Sequence, residues 1–283
     1  MSESNKRNFI VHGSILAIAG ILVRIIGMLY RIPVVNIIGS EGNGIYGAAF
    51  NIYNIMLVLS SYGLPMAVSK LVSARFTKKR YKSAAKVLRC SLMVAVCTGG
   101  IAALLVFFGA SFIENVIYGG GLPGLAVPLR ILAPTIFLVA ILGVIRGFFQ
   151  GQSTMIPTAV SQILEQIVNA IVSIAAGYGM MKAFASLPDV AAYGAAGSTL
   201  GTAMGALTAV LFMGFLYAVY TPTFNRLKRK DRHTENQSTG QICKIIIYTM
   251  IPIILGQTFY QISALIDDVM FSNIMVGRDI TKS

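Results

Sequence analysis

Charge is scarce in this sequence. Only 12% of its 283 residues are charged, against about 25% in ordinary soluble domains, so the chain cannot clothe a globule in polar groups. Histidine and acid are scarcer still, with two His and ten Asp plus Glu. Metal centres and acid–base sites draw on clusters of such residues. Here His12 and His233 stand alone and Asp267–Asp268 is the one adjacent acidic pair, so the expectation is not an enzyme and holds no metal or cofactor. Three cysteines, Cys90, Cys97 and Cys243, are an odd number without metal-ligand spacing, which argues against a disulfide framework. All lie in or beside apolar stretches and read as small apolar residues. No G-x-x-x-x-G-K-[ST] loop is present to cradle nucleotide phosphates.

What the sequence has in quantity is apolar length. Hydrophobic residues make up 55% and mean hydropathy is +0.74. Seven stretches reach the roughly 20 residues that a hydrocarbon core requires: 10–35, 45–72, 85–110, 128–150, 155–181, 193–220 and 243–275. The expected fold is all-α, a polytopic transmembrane bundle of about seven spans. Lys6 and Arg7 before an apolar run resemble a signal peptide. The run is too long and no small-residue cleavage site ends it cleanly, so it reads as a retained first span.

The net charge of +13 is concentrated rather than spread. The loop between spans 2 and 3 holds Arg75, Lys78, Lys79, Arg80, Lys82 and Lys86, and the linker between spans 6 and 7 holds Arg226, Lys228, Arg229, Lys230 and Arg232. The intervening loops carry Glu41, Glu114, Lys182 and Asp189. Alternate loops therefore differ in sign, and the positive-inside rule predicts a plasma-membrane protein with its N-terminus in the cytoplasm. Topogenic charge accounts for the basicity, and no nucleic-acid partner is expected. The long polar linker suggests a division into a six-helix lobe (1–225), a basic linker (226–242) and a further helix (243–283).

Within span 1, "ILVRIIGMLYRIPVV" places Arg24 and Arg31 seven residues apart. Two helical turns put both on nearly one face, about 10 Å apart along the axis. Charge in mid-membrane is costly and usually faces a cavity. Arg24 is too central to snorkel, whereas Arg31 either snorkels to the interface or joins Arg24 in a ladder of positive charge. Lys70 near the end of span 2 reads as a cavity base or a topogenic charge, and Arg146 at the end of span 4 as interfacial or at a cavity mouth. Arg130 reads as an interfacial anchor. Gln162, Glu165, Gln166 and Asn169 follow helical spacing along span 5. That polar stripe serves either interhelical hydrogen bonding or a cavity wall, with Glu165 as counter-ion to Arg24 or as an ion site. Asp267 in span 7 is a second acidic candidate. Gly194, Gly197, Gly201 and Gly205 in span 6 form a small-residue row suited to close helix packing. Arginine in a membrane cavity suits phosphate, which it grips bidentately.

Residues 21–72, with "RIIG", a "G-YG-A" turn and "GLP-A-SK", together with "GFFQGQ" at 147–152 and "QILEQ" in span 5, resemble the polysaccharide exporters of the MOP superfamily. Within it they are similar to the stage V sporulation protein B and YtgP group, related to the MurJ lipid II flippases. The resemblance implies two six-helix lobes around a cavity of alternating access, and a flippase for a polyprenyl-pyrophosphate-linked saccharide, with no cofactor and a coupling ion as a further partner. It implies that Arg24 and Arg31 bind the head group and that Lys70 and Arg146 draw it in. The sequence departs from the MurJ pattern at Met56–Leu59, where those proteins carry an arginine pair, and in the spacing of Arg31 from Gly27, one residue longer than theirs. It also stops one span into the implied second lobe. The alternatives are a cation-coupled multidrug exporter of the MATE type, for which Glu165 and Asp267 would bind cations, and an inactive truncated fragment.

Overall fold

The computed structural model describes residues 3–232 and 237–277. The side chains of Lys6, Arg7, His12, His233 and Asp268 lie outside what it describes. Seven α-helices follow one another: α1 (Glu3–Ser60), α2 (Gly63–Thr77), α3 (Tyr81–Phe112), α4 (Ala126–Gly151), α5 (Ile156–Ala183), α6 (Val190–Lys230) and α7 (Thr239–Gly277). No strand forms among the described residues. In lipid every backbone group must be satisfied within the chain, and helices do this without a partner. Among the described residues six stretches are long and apolar enough to cross a membrane, and the first, Gly13–Thr77, spans 65 residues and is long enough for two passes.

That first stretch folds back on itself. Gly39 takes φ +71° inside α1, a conformation glycine adopts without the Cβ clash other residues meet. Across it the Arg31 guanidinium lies over the Tyr46 ring, 5.9 Å from its centroid. Fifteen residues of straight helix would hold these groups about 22 Å apart, so the chain folds back at Gly39. The legs 3–38 and 40–60 are the first pass and the start of the second. A second break at Ser61–Tyr62, where the Tyr62 N–H bonds back to the Leu57 carbonyl at 3.0 Å, hands over to α2, whose third residue, Pro65, needs no amide partner in the first turn.

Two seams of small residues draw the helices together. Gly197, Gly201 and Gly205 of α6 lie against the α5 backbone: a Cβ on Gly205 would stand 2.6 Å from the Glu165 carbonyl, and one on Gly201 would strike Ser173 and stand 2.6 Å from the Asn169 carbonyl. Gly143, Gly147 and Gly151 of α4 make an equivalent seam against Pro65, Val68 and Val72 of α2. Where lipid removes the hydrophobic drive between helices, close approach of backbones takes its place. At one end of the bundle a buried cluster centres on Ile38, Ile45, Leu129 and Leu132. At the basic end Phe148 meets Phe76 and Phe224 with ring centroids 6.3 and 5.3 Å away. The first half of α7 packs on this basic-end cluster through Ile242, Ile246 and Met250, all buried. Large apolar side chains cover the outside, Phe108 being 76% exposed, as a lipid-facing surface requires.

Gly201→Val overpacks the α5–α6 seam and is expected to destabilise the bundle by about 1–3 kcal/mol. Gly214→Val, where a Cβ meets nothing within 4 Å, is expected to leave stability unchanged. Thermal unfolding of the two variants in detergent checks the contrast.

Candidate functional site

The first leg of α1 has three distinct faces. Ala19, Val34 and Ile38 are buried, while Ile21, Leu22, Ile25, Leu29 and Ile32 are exposed. Arg24 and Arg31, both exposed, lie on the flank between them, about 20° apart by helical geometry. Gly27, on the same side, sits against α5: a Cβ there would stand 3.1 Å from Gln166 Nε2. Arg31 is held over the Tyr46 ring, a cation–π contact. Arg24 makes no hydrogen bond or ion pair with any described residue.

The polar stripe of α5 divides. Asn169, 8% exposed, is a packing node. Its Nδ2 donates to the Tyr30 hydroxyl at 3.3 Å, and its Oδ1 accepts from Ser173 Oγ at 2.9 Å and Thr202 Oγ1 at 3.4 Å. It thereby ties α5 to both α1 and α6. Glu165 is an ion-pair partner instead. Arg146 Nη2 donates to its Oε2 at 2.7 Å, with side chains 14% and 27% exposed. Arg146 Nε also donates to Ser161 Oγ at 2.9 Å, and that hydroxyl donates to the Thr158 carbonyl at 2.8 Å. Glu165, read from the sequence as a counter-ion to Arg24 or as an ion site, pairs with Arg146, because the tight α4–α5 turn brings the two chain segments side by side. Gln162 and Gln166 are half-buried on the same helix. Lys70 is exposed on α2 and Asp267 on α7. Neither makes an ion pair with a described residue. Among the described residues no three of His, Cys, Asp and Glu come together.

Tyr30, Tyr46, Ser161 and Thr202 belong to this site and were not singled out from the sequence. Tyr30 and Tyr46 had a signal, since each is a lone hydroxyl in an apolar run beside a residue already under suspicion or a glycine turn. Ser161 and Thr202 had none. The arrangement as a whole sets a guanidinium with no partner among the described residues, and a second one steadied by a ring, beside a polar stripe whose Glu165 and Asn169 are already paired. Such a flank has the chemistry to receive an anion, and its apolar neighbour row that to receive a hydrocarbon chain.

A model of the family described as "Polysaccharide biosynthesis protein" matches residues 10–279. The chain is 34% identical over 176 residues to the lipid II flippase MurJ of Bacillus subtilis (strain 168), a match covering 60% of this chain and 32% of that protein. It is 31% identical over 209 residues to the stage V sporulation protein B of the same strain, covering 74% and 39%. To the uncharacterized membrane protein YabM it is 27% identical over 279 residues, covering 98% and 50%. The chain therefore spans half or less of the length of these curated relatives. Among solved structures it is similar to MATE in complex with MaD3S, with TM-score 0.68 and 17% identity over 86% of this chain and 52% of that one. It is also similar to a MOP superfamily transporter from Pyrococcus furiosus, with TM-score 0.63, 17% identity and coverage of 86% and 52%. These structural likenesses show a MATE-like fold.

Removing one partner of a partly buried ion pair strands the other charge. Arg146→Gln is expected to destabilise the bundle more than the double variant Arg146→Gln/Glu165→Gln. A double-mutant cycle by denaturant unfolding should give a coupling energy of about 1–3 kcal/mol.

Proposed function

The chain belongs to the polysaccharide biosynthesis protein family, and on that premise we propose that it forms part of a membrane carrier that moves a polyprenyl-pyrophosphate-linked saccharide across the cell membrane by alternating access. The observation that carries this reading is Arg24, a guanidinium at mid-span with no partner among the described residues. In a medium of low dielectric such a charge is matched by what binds it. A pyrophosphate supplies paired oxygens in the geometry that arginine grips best. The exposed apolar row of Ile21, Leu22, Ile25 and Leu29 beside it suits an isoprenoid tail that remains in the bilayer. The relative named as a lipid II flippase supports the same class of cargo.

In this reading Arg24 and Arg31 hold the head group. Lys70 draws it in from the basic end, which is cytoplasmic together with the N-terminus. Arg146 reaches the ligand only by releasing Glu165, which makes the pair a gate responsive to an anion. Glu165 and Asp267 are the carboxylates available to a coupling ion. Residues 1–225 form a six-helix lobe and 243–283 the first helix of a second lobe, joined by the basic linker 226–242. The protein carries its substrate and does not transform it. A cationic drug would meet Arg24 and Arg31 first and be repelled.

Reconstituted in nanodiscs, the chain is expected to bind a polyprenyl pyrophosphate with an affinity that falls at least about tenfold in Arg24→Ala, the equivalent of roughly 1.4 kcal/mol, and further in Arg24→Ala/Arg31→Ala. Glu165→Gln, which frees Arg146, is expected to bind as tightly as the parent or tighter. Unchanged binding by the double arginine variant would overturn the assignment.

A further inference from the structure

The basic end of the bundle holds a second anion-attracting feature, remote from Arg24. A cavity of ≈ 520 Å³ opens between α3, the end of α6 and the start of α7, and Lys82, Lys86, Arg89 and Lys228 supply four cations to its wall, beside Cys90 and Met93. A contiguous hollow shares Lys82 and Lys228 and adds Asn225 and Arg229. The nearby acid, Asp231, is buried, and its Oδ2 accepts the Lys82 N–H at 2.8 Å. The floor is fastened by tertiary bonds. Lys86 Nζ donates to the Gln237 carbonyl, and Arg75, outside the cavity, donates to Gln237 Oε1 at 2.9 Å and to Ser83 Oγ at 2.8 Å. Lys228 is steadied over the Phe224 ring, 5.2 Å from its centroid.

The same face of α3 continues into the membrane as an apolar track. Lys86, Arg89, Met93, Cys97, Ile101, Leu104 and Phe108 fall within about a third of the helix circumference. Met93, Ile101, Leu104 and Phe108 are exposed large apolar side chains, and Ile101, Leu104 and Phe108 line a shallow apolar hollow of ≈ 340 Å³. From Met93 to Leu104 the helix rises about 17 Å, close to half of a hydrocarbon core about 30 Å thick.

We propose that this cavity binds the phosphate head group of an anionic phospholipid, whose acyl chain lies along the exposed track of α3. Clustered cations at a helix junction by the membrane surface are the chemistry that recognises such a head group, and the track supplies what a soluble phosphate would not use. The site is separate from the Arg24 flank and holds whether or not that flank binds a pyrophosphate.

Native mass spectrometry of the detergent-purified chain, titrated with phosphatidylglycerol or phosphatidylcholine, tests this. Phosphatidylglycerol is expected to be retained preferentially. Lys82→Gln/Arg89→Gln, two exposed side chains, is expected to lower its retention about tenfold or more. Lys78→Gln/Lys79→Gln, an equal loss of charge on the neighbouring loop, is expected to leave it unchanged. Should the first double variant lose its monodisperse profile, the single variant Arg89→Gln serves with an expected drop of several-fold. Equal loss in both double variants, equal retention of the two lipids, or full displacement of phosphatidylglycerol by millimolar glycerol phosphate would each overturn the proposal. Polyprenyl pyrophosphate binding in nanodiscs free of anionic lipid should be unaffected by Lys82→Gln/Arg89→Gln, so this result and the Arg24 result stand or fall separately.

Discussion

A guanidinium inside a hydrocarbon slab demands a counter-charge, a π face, water or a ligand, and three arginines of this chain meet that demand differently. Arg146 takes the Glu165 carboxylate and the Ser161 hydroxyl. Arg31 takes the face of Tyr46. Arg24 takes nothing from the described chain. The order of these solutions follows from the path of the backbone. The α4–α5 turn returns the chain close enough for an ion pair, and the reversal at Gly39 returns it close enough for a ring. Among the described residues, nothing folds back to the level of Arg24 with a group that bonds to it.

That distribution depends on close packing elsewhere. The Gly197–Gly201–Gly205 row lets α6 touch the α5 backbone at the residues that carry Glu165, Asn169 and Ser173. Those side chains are therefore fixed at their roots: Glu165 reaches α4, Asn169 reaches both α1 and α6, and Ser173 turns to α6. Asn169 spends its amide on Tyr30, Ser173 and Thr202, which locks α1, α5 and α6 into one block. A loose α5–α6 contact would let Glu165 swing between Arg146 and other cations; the seam restricts that choice and makes the pairing selective. The second seam, Gly143–Gly147–Gly151 against α2, carries Arg146 between its glycines. The helices that position the ion pair are thus held by close backbone approach on both sides.

The spans were legible because lipid imposes length and apolarity locally, residue by residue, so seven runs announced seven passes. The Gly194–Gly205 row was legible for the same reason, as its spacing is helical and its small size has one structural use. The turn between the first two passes was misjudged in extent. The sequence suggested a loop across 36–44, yet helix continues to either side of Gly39, since one glycine at positive φ suffices to reverse the chain. The partner of Glu165 was not legible. The sequence offered Arg24 or an ion, and the pairing with Arg146 rests on how α4 and α5 sit across their turn, a tertiary fact. The basic cavity was hidden for another reason. Lys82, Lys86 and Lys228 were assigned to topology, which is a statistical role, and only the junction of α3 with α6 and α7 converts them into a shaped site.

Depth separates the two anion-attracting features in kind. Near the membrane surface, the four cations beside α3 act in a high-dielectric, salt-screened zone where unit charges 4 Å apart interact with only about 1–4 kcal/mol. They gain selectivity by number and by the apolar track beneath them. At mid-span the dielectric is low and a single guanidinium interacts far more strongly, but an anion must shed its water to arrive. A head group anchored by a tail that already lies in the bilayer is held beside the site, at an effective concentration a free anion does not have. The combination of a deep, unanswered arginine with an exposed apolar row along the same helix therefore favours an amphiphile over any small ion. The surface cavity, where no deep desolvation is required, distinguishes lipids by head-group charge instead.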